Sequence, residues 1–170
     1  DLINEFFEIT RFNIYDITLQ YTKINLTRLL EQLVYEFKPM LKSKNLQCNL
    51  CVDDDIMLRC DADKIQRVFD NLLRNAVIYS FENTDITISA QCHEDTVSII
   101  FCNHGDTLPE EKLNRIFEQF YRLDAARSTS SGGAGLGLAI VKQIVELHNG
   151  TIVAESQEDQ NKFSITLPLA

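Results

Sequence analysis

The sequence predicts an α+β fold. It reads as a two-layer α/β sandwich in which a mixed, mostly antiparallel sheet of about five strands is covered on one face by three helices. Three observations carry this. Apolar residues recur at helical spacing in three stretches, they alternate with polar residues in several others, and helical and alternating stretches are interleaved along 170 residues. A chain of that length suits one domain and can bury roughly 70% of its unfolded surface.

Residues 2–12, LINEFFEITRF, read as the last turns of a helix that began upstream, and 17–24 as a short strand. Leu26, Leu29, Leu30, Leu33, Val34, Phe37 and Leu41 share one helical face. Leu46, Cys48, Leu50 and Val52 alternate as a half-buried strand does. Asp61 suits the N-cap of a second amphipathic helix, marked by Ile65, Val68, Phe69, Leu72, Leu73 and Ala76. Ile86, Ile88 and Ala90, then Val97, Ile99 and Phe101, flank the short link HED and predict an antiparallel hairpin. A long irregular stretch follows over about 103–134, with a short helix near 110–118. A segment of that length is usually a functional lid or disordered, and its Ser-Thr-Ser-Ser-Gly-Gly composition favours mobility. A third helix opens at glycines and runs to about His148, with Gly150 as its stop. Ile152, Ala154, Phe163, Ile165 and Leu167 form a final hairpin around QEDQN.

Hydrophobic content of 45% and charged content of 24% are ordinary for a globular domain. The net charge of −9 argues against an extended nucleic-acid footprint but leaves room for a nucleotide, which needs only a few local cations. Cys48-x-x-Cys51 has metal spacing without a second Cys/His pair at zinc-ribbon distance. The five cysteines are expected to be buried reduced thiols of a reducing compartment. No run of about 18 apolar residues and no signal peptide is present. Asp1 falls inside a helical pattern, so the chain is expected to be a piece of a longer protein.

Four of the six glycines fall within 132–137, immediately before an apolar helix. Glycine permits close approach to the backbone, and a helix N-terminus attracts anions, so GGAGLGLA is a phosphate-site candidate or, equally, a flexible loop with a glycine cap. It is not a P-loop, because Leu138-Ala139 stands where Lys-Ser/Thr belongs. It is not a dinucleotide fingerprint, because Ile140 replaces the third glycine and a polar run precedes it. Asn71, Asn75 and Tyr79, spaced i, i+4, i+8, form a polar stripe roughly 100° from the core face of the second helix. Amide carbonyls suit Mg²⁺, which also binds phosphate oxygens; exposed asparagines without a ligand are the alternative. Asn103-His104-Gly105 ends a strand, where an Asn can read a base edge or begin a turn. Arg115, Arg122 and Arg127 punctuate the loop that Phe117, Phe120 and Tyr121 anchor, as phosphate clamps or as solvated cations.

The order of these signals closely resembles the catalytic, ATP-binding domain of bacterial sensor histidine kinases. NLLRNAVIYS is similar to the family's N box, CNHGDTLP to its first glycine box, FEQFYR to its F box and GGAGLGLA to its second glycine box. The resemblance covers about 17–168, and the wording after FEQFYR resembles the VanS-type sensors of vancomycin resistance. It implies a Bergerat (GHKL) fold with a mobile ATP lid over 17–170, preceded at 1–16 by the end of a dimerisation-domain helix and a linker. It implies ATP and Mg²⁺ as cofactors, with Asn75 on the metal and Asn71 near the metal and phosphates. Tyr79, Asn103, Gly105, Thr107 and Leu108 would line the nucleotide pocket. Arg122 and Arg127 would approach the phosphates, making them and Asn71 the catalytic candidates. Gly133, Gly135, Leu136, Gly137 and Leu138 would form the lid hinge.

The sequence departs from the family pattern at three positions. Asn103 stands where Asp usually reads the adenine amino group, and an amide can still accept that bond while donating to the ring nitrogen, though a carboxylate accepts more strongly. Thr107 replaces a usual glycine and narrows the approach beside the base, and Ile78 replaces a phosphate-contacting Lys, leaving more to the arginines. None of His93, His104 and His148 lies in a phosphoacceptor-like helical context, so the acceptor is expected upstream. His148 is expected as a cation complementing a helix C-terminus. The resemblance implies a half of a protein-histidine kinase whose partners are its own dimerisation domain, as a homodimer, and a response regulator. The piece itself is expected to be a cytoplasmic monomer of a membrane-attached parent. A non-catalytic nucleotide-binding or interaction module is the alternative. A hydrolytic Bergerat ATPase is disfavoured because the N box lacks a water-activating Glu.

Overall fold

The computed structural model describes residues 2–4, 18–122 and 137–170 of the chain. Residues 2–4 are helical, and the rest of the expected helix tail lies outside the described residues. Strands run at Tyr21–Asn25 (β1), Gln47–Val52 (β2), Met57–Asp61 (β3), Asp85–Cys92 (β4), Thr96–His104 (β5), Thr151–Gln157 (β6) and Gln160–Pro168 (β7). Helices run at Leu26–Glu36 (α1), Lys38–Ser43 (α2), Ala62–Tyr79 (α3), Glu110–Leu113 (α4) and Gly137–Leu147 (α5).

The main sheet has the order β2-β4-β5-β7-β6. β2 pairs parallel with β4 and every other neighbour is antiparallel, so the expected mixed, mostly antiparallel five-stranded sheet is present. The crossover from β2 to β4 carries α3 onto one face. The strand register on that face runs in rows. Val52, Ala90, Ile99, Ile165 and Ile152 form one, and Leu50, Ile88, Phe101, Phe163 and Ala154 form the next. Ile65, Val68, Phe69, Leu72 and Leu73 of α3 and Ile140, Val141, Ile144 and Val145 of α5 close over these rows and are fully buried. Each such side chain contributes about 1.5–3 kcal/mol by leaving water. Phe69 and Phe101 meet with ring centroids 5.8 Å apart.

Several local expectations change. The helix expected over 26–41 is two helices, because Pro39 enters at the second position of a new one after Phe37. The early strand begins at Tyr21 and pairs with β3, whose sequence MLRCD is half polar and gave no clear alternation. β5 continues through Asn103 to His104, so Asn103 lies in a strand and not in a turn. The helix near 110–118 is only Glu110–Leu113. The left-handed residue ending α5 is Asn149, with φ 58°, while Gly150 is needed for space: a Cβ there would lie 2.5 Å from the Thr166 carbonyl. Cys60 is buried, but Cys51 and Cys92 are exposed, and Cys48 and Cys51 fall on opposite sides of β2, so they do not form a metal pair. Burial pushes the Cys48 thiol up to about 12, and burial followed by the Asp61 charge does the same for Cys60. No helix among the described residues is long and apolar enough to cross a membrane.

His148 is not an exposed helix-end cation. It is 4% exposed; its Nε2 accepts from the Asp61 amide at 3.0 Å, so Nδ1 carries the hydrogen donated to the Ile144 carbonyl at 2.7 Å. The ring thereby ties the end of α5 to the junction of β3 and α3. Asp61 caps that junction from the other side, its carboxylate accepting from the amides of Lys64 (3.3 Å) and Gln20 (2.9 Å). Burial alone would raise the Asp61 carboxyl, but these amides and the Lys64 charge outweigh it and hold the group below the ordinary range.

Two outcomes are expected. His148→Ala strands the buried Asp61 amide and lowers stability by about 1–3 kcal/mol, or about 2–4 °C in Tm per kcal/mol, while His93→Ala, at an exposed turn, leaves Tm unchanged. Because the Asp61 carboxyl is lowered in the folded state, its contribution is complete above the unfolded value of about 3.9 and is lost as pH falls through the folded value. In urea titrations the stability gap between wild type and Asp61→Asn should therefore be open at neutral pH and close in acid.

Candidate functional site

The sheet rows change character at one end. After the row of Phe101 and Phe163 comes Cys48, Ile86, Asn103, Asn161 and Ser156, on the same helix-facing side. Strand alternation thus carries two amides to the edge of an otherwise apolar face. Above them stands the last part of α3, with Asn75 and Tyr79 half-buried. Between helix and row lies a cleft lined by Asn75, Tyr79, Asn103, Thr107, Leu108 and Lys112, with Ile116, Phe163 and Asn161 deeper in. It opens to solvent and has a volume of about 140 Å³.

Gly105 lets the end of β5 come close to the end of α3 beside the cleft. A Cβ on this residue would lie 2.2 Å from the Tyr79 carbonyl and 3.2 Å from the amide nitrogens of both Asn103 and Asn161. The Gly105 amide donates to the Asp159 carbonyl at 3.0 Å, which brings the β6–β7 turn beside it. Thr107 reinforces that turn. Its amide and hydroxyl donate to Asp159 Oδ1 at 3.3 and 3.0 Å, and its oxygen accepts from the Asp159 amide at 2.8 Å. The hydroxyl expected to narrow the pocket is therefore fastened to the pocket wall. Leu108 is held by its amide on Ser156 Oγ at 2.7 Å, and Ser156 in turn donates to Asn161 Oδ1.

Asn103 is 3% exposed, and its Nδ2 is a buried donor with no partner. Leaving such a group unmade costs about 1–3 kcal/mol, so it points to a ligand with a complementary edge. Asn71 sits one turn before Asn75 on α3. Its Nδ2 donates to the Arg67 carbonyl at 2.9 Å, and its Oδ1 lies 2.8 Å from where a Cβ on Gly137 would be. Gly137 is the first residue of α5, so the helix start that follows the glycine run abuts the asparagine stripe.

Of the residues singled out in the sequence, Asn75, Tyr79, Asn103, Thr107 and Leu108 line the cleft, and Gly105 shapes it. Asn71, Gly137 and Leu138 lie along the α3–α5 contact. Arg127, Gly133, Gly135 and Leu136 lie outside the described residues. Arg122 is half-buried and engaged. Arg115 pairs with Glu118 at 3.0 Å and stacks on Tyr121, and is not a clamp on the cleft. Phe117 anchors its segment edge-on against Phe163, whereas Phe120 is 58% exposed with φ 63° and anchors nothing among the described residues. Sequence reasoning missed Asn161 and Lys112. Counting back by twos from Leu167, Ile165 and Phe163 reaches Asn161, and that alternation was the available signal.

Gly105→Ala should lower stability by about 1–3 kcal/mol through overpacking against the Tyr79 carbonyl, measured by urea unfolding.

Residues 60–170 match the family described as histidine kinase-, DNA gyrase B- and HSP90-like ATPases. The chain is 48% identical over 98% of its length to the sensor protein VanS of Enterococcus faecium, and 44% identical over 98% to the sensor protein VanSC of Enterococcus gallinarum. It spans 43% and 46% of those two proteins, less than half of either. Its fold superposes with a TM-score of 0.81, at 26% identity, on histidine kinase ThkA in its complex with the response regulator protein TrrA, covering 99% of this chain and 47% of that one. A mixed five-stranded sheet under paired helices, with its polar cleft at the end of α3, is thus the GHKL arrangement, and the chain belongs to the family of histidine kinase-, DNA gyrase B- and HSP90-like ATPases.

Proposed function

We propose that this chain is the catalytic half of a two-component sensor kinase of the vancomycin-resistance type. It binds Mg·ATP in the cleft and donates the γ-phosphoryl group to a histidine on a dimerisation domain, to which residues 1–16 lead. That histidine then serves a response regulator. The parent is a homodimeric membrane sensor whose catalytic domain works in the cytoplasm. The single observation that carries this reading is the unpartnered Asn103 amide buried in a cleft under the asparagine stripe of α3.

The chemistry follows from the donors present. Asn103 meets the purine edge, and Leu108, Ile116 and Phe163 supply apolar surface for the ring. Asn75 and Asn71 offer carbonyl oxygens, hard donors of the kind Mg²⁺ accepts alongside waters and phosphate oxygens. Asn71 fits this role because its nitrogen is spent on Arg67 O, which leaves its oxygen facing the start of α5. Magnesium held by these oxygens would neutralise charge on the phosphates. Arg122, Arg127 and Lys112 add positive charge in place of the lysine that Ile78 displaces. Lys44 does not fill that gap, since its Nζ is used by the carbonyls of Val77, Ile78 and Ser80 at 2.7–3.1 Å. The glycine run at 132–137 gives backbone amides to the phosphates and hinges the lid. Phosphoryl transfer is mostly positioning and charge stabilisation, so the missing acceptor helix supplies the nucleophile and this domain supplies the rest.

Thermal shift tests binding. ATP with Mg²⁺ at about 100 times its dissociation constant should add roughly 2.7 kcal/mol, or about 5–10 °C. Asn75→Ala should erase the Mg²⁺-dependent part of that shift, and Asn103→Ala should weaken ATP about tenfold. Incubation with γ-labelled ATP and a separately supplied dimerisation domain tests transfer. Label appearing on that domain supports the kinase; a full ATP shift without label would leave a nucleotide-binding module in its place.

A further inference from the structure

Asn103 and Asn161 are neighbours in one row, yet the protein fixes the amide of only one. Asn161 Nδ2 donates to the Asp106 carbonyl at 3.2 Å, and its Oδ1 accepts from Ser156 Oγ, whose oxygen accepts from the Leu108 amide. This chain of bonds has a single direction, so the Asn161 amide has a single orientation. Asn103 is as deeply buried, and its Nδ2 has no partner among the described residues. Nothing bonded to that nitrogen selects one orientation of its amide over the other, and the terminal torsion of asparagine is intrinsically broad.

A carboxylate at this position could only accept, whereas a primary amide presents an acceptor and a donor side by side. A 6-amino purine offers an exocyclic donor next to a ring-nitrogen acceptor. A 6-keto purine offers the reverse, an exocyclic acceptor next to a ring N–H. A half-turn of the Asn103 amide exchanges the two patterns without changing its shape. On the nucleotide reading given above, we infer that the cleft takes 6-keto as well as 6-amino purine nucleoside triphosphates, and that Asn103 is the residue that permits it. The rigid Asn161 amide beside it keeps the wall in place while Asn103 turns.

Inosine triphosphate is the decisive probe. It carries the 6-keto edge without the 2-amino group of guanine, so comparing it with ATP isolates that edge. The 170-residue chain, with Mg²⁺, is titrated calorimetrically with each. Dissociation constants within about tenfold of each other are expected, where each tenfold is about 1.4 kcal/mol. Asn103→Asp should retain ATP and widen the preference over inosine triphosphate by at least about tenfold, since a carboxylate faces the keto oxygen with no donor. Wild-type chain that binds ATP but rejects inosine triphosphate by more than about tenfold overturns this inference alone, as does a ratio unmoved by Asn103→Asp. Binding of neither nucleotide overturns the ATP reading as well. If Asn103→Asp does not fold, the wild-type ratio decides by itself.

Discussion

The cleft depends on one close approach, that of Gly105 to the carbonyl of Tyr79. With 2.2 Å between that oxygen and the place a Cβ would occupy, the end of β5 and the end of α3 touch through bare backbone. Three element ends converge there. The Phe81 amide donates to the His104 carbonyl at 2.8 Å, tying the helix exit to the strand. Lys44 from the far side takes the neighbouring carbonyls of Val77, Ile78 and Ser80, so the helix end is satisfied without turning toward the cleft. The Gly105 amide binds the β6–β7 turn, and Thr107 doubles that hold through Asp159. A cleft built this way has walls from three separate parts of the chain, and its shape is set before any ligand enters.

The parts of the fold legible in the sequence were those whose period is enforced by burial on one side. β4, β5 and β7 alternate because one face meets α3 and α5, and those helices show a stripe because they meet that face. β3 was not legible. It pairs only with β1, and Met57 and Arg59 on its open side are exposed. The break between α1 and α2 was written in Pro39 but masked by Phe37 and Leu41, which keep the helical period across it. The site was legible by a different route. Asn103 and Gly105 looked like a turn because local chemistry cannot tell a strand end from a turn, and only the register with Ile86 and Asn161 places the amide inward. Asn161 escaped because a polar residue that obeys an apolar alternation reads as the end of the strand, when here it is the start of the pocket. His148 shows the opposite error. A histidine at a helix end suggests a charge on a dipole, and only the 87-residue reach to the Asp61 amide reveals an acceptor in a buried latch.

The two ends of α5 are held by unlike contacts. At its start the helix presses on Asn71, where even a methyl group on Gly137 would intrude. At its finish, Asn149 and Gly150 bond back to the carbonyls of Glu146 and Val145, and His148 fixes the last turn to the base of α3. Along its length Ile140, Val141, Ile144 and Val145 are buried. Helices α3 and α5 therefore form one rigid pair, pinned at opposite ends by unlike contacts. The polar stripe of the first and the N-terminus of the second meet where Asn71 touches Gly137. A helix N-terminus attracts anions at contact distance, whereas distant carboxylates are screened beyond about 10 Å, so a net charge of −9 does not oppose the phosphate site proposed above.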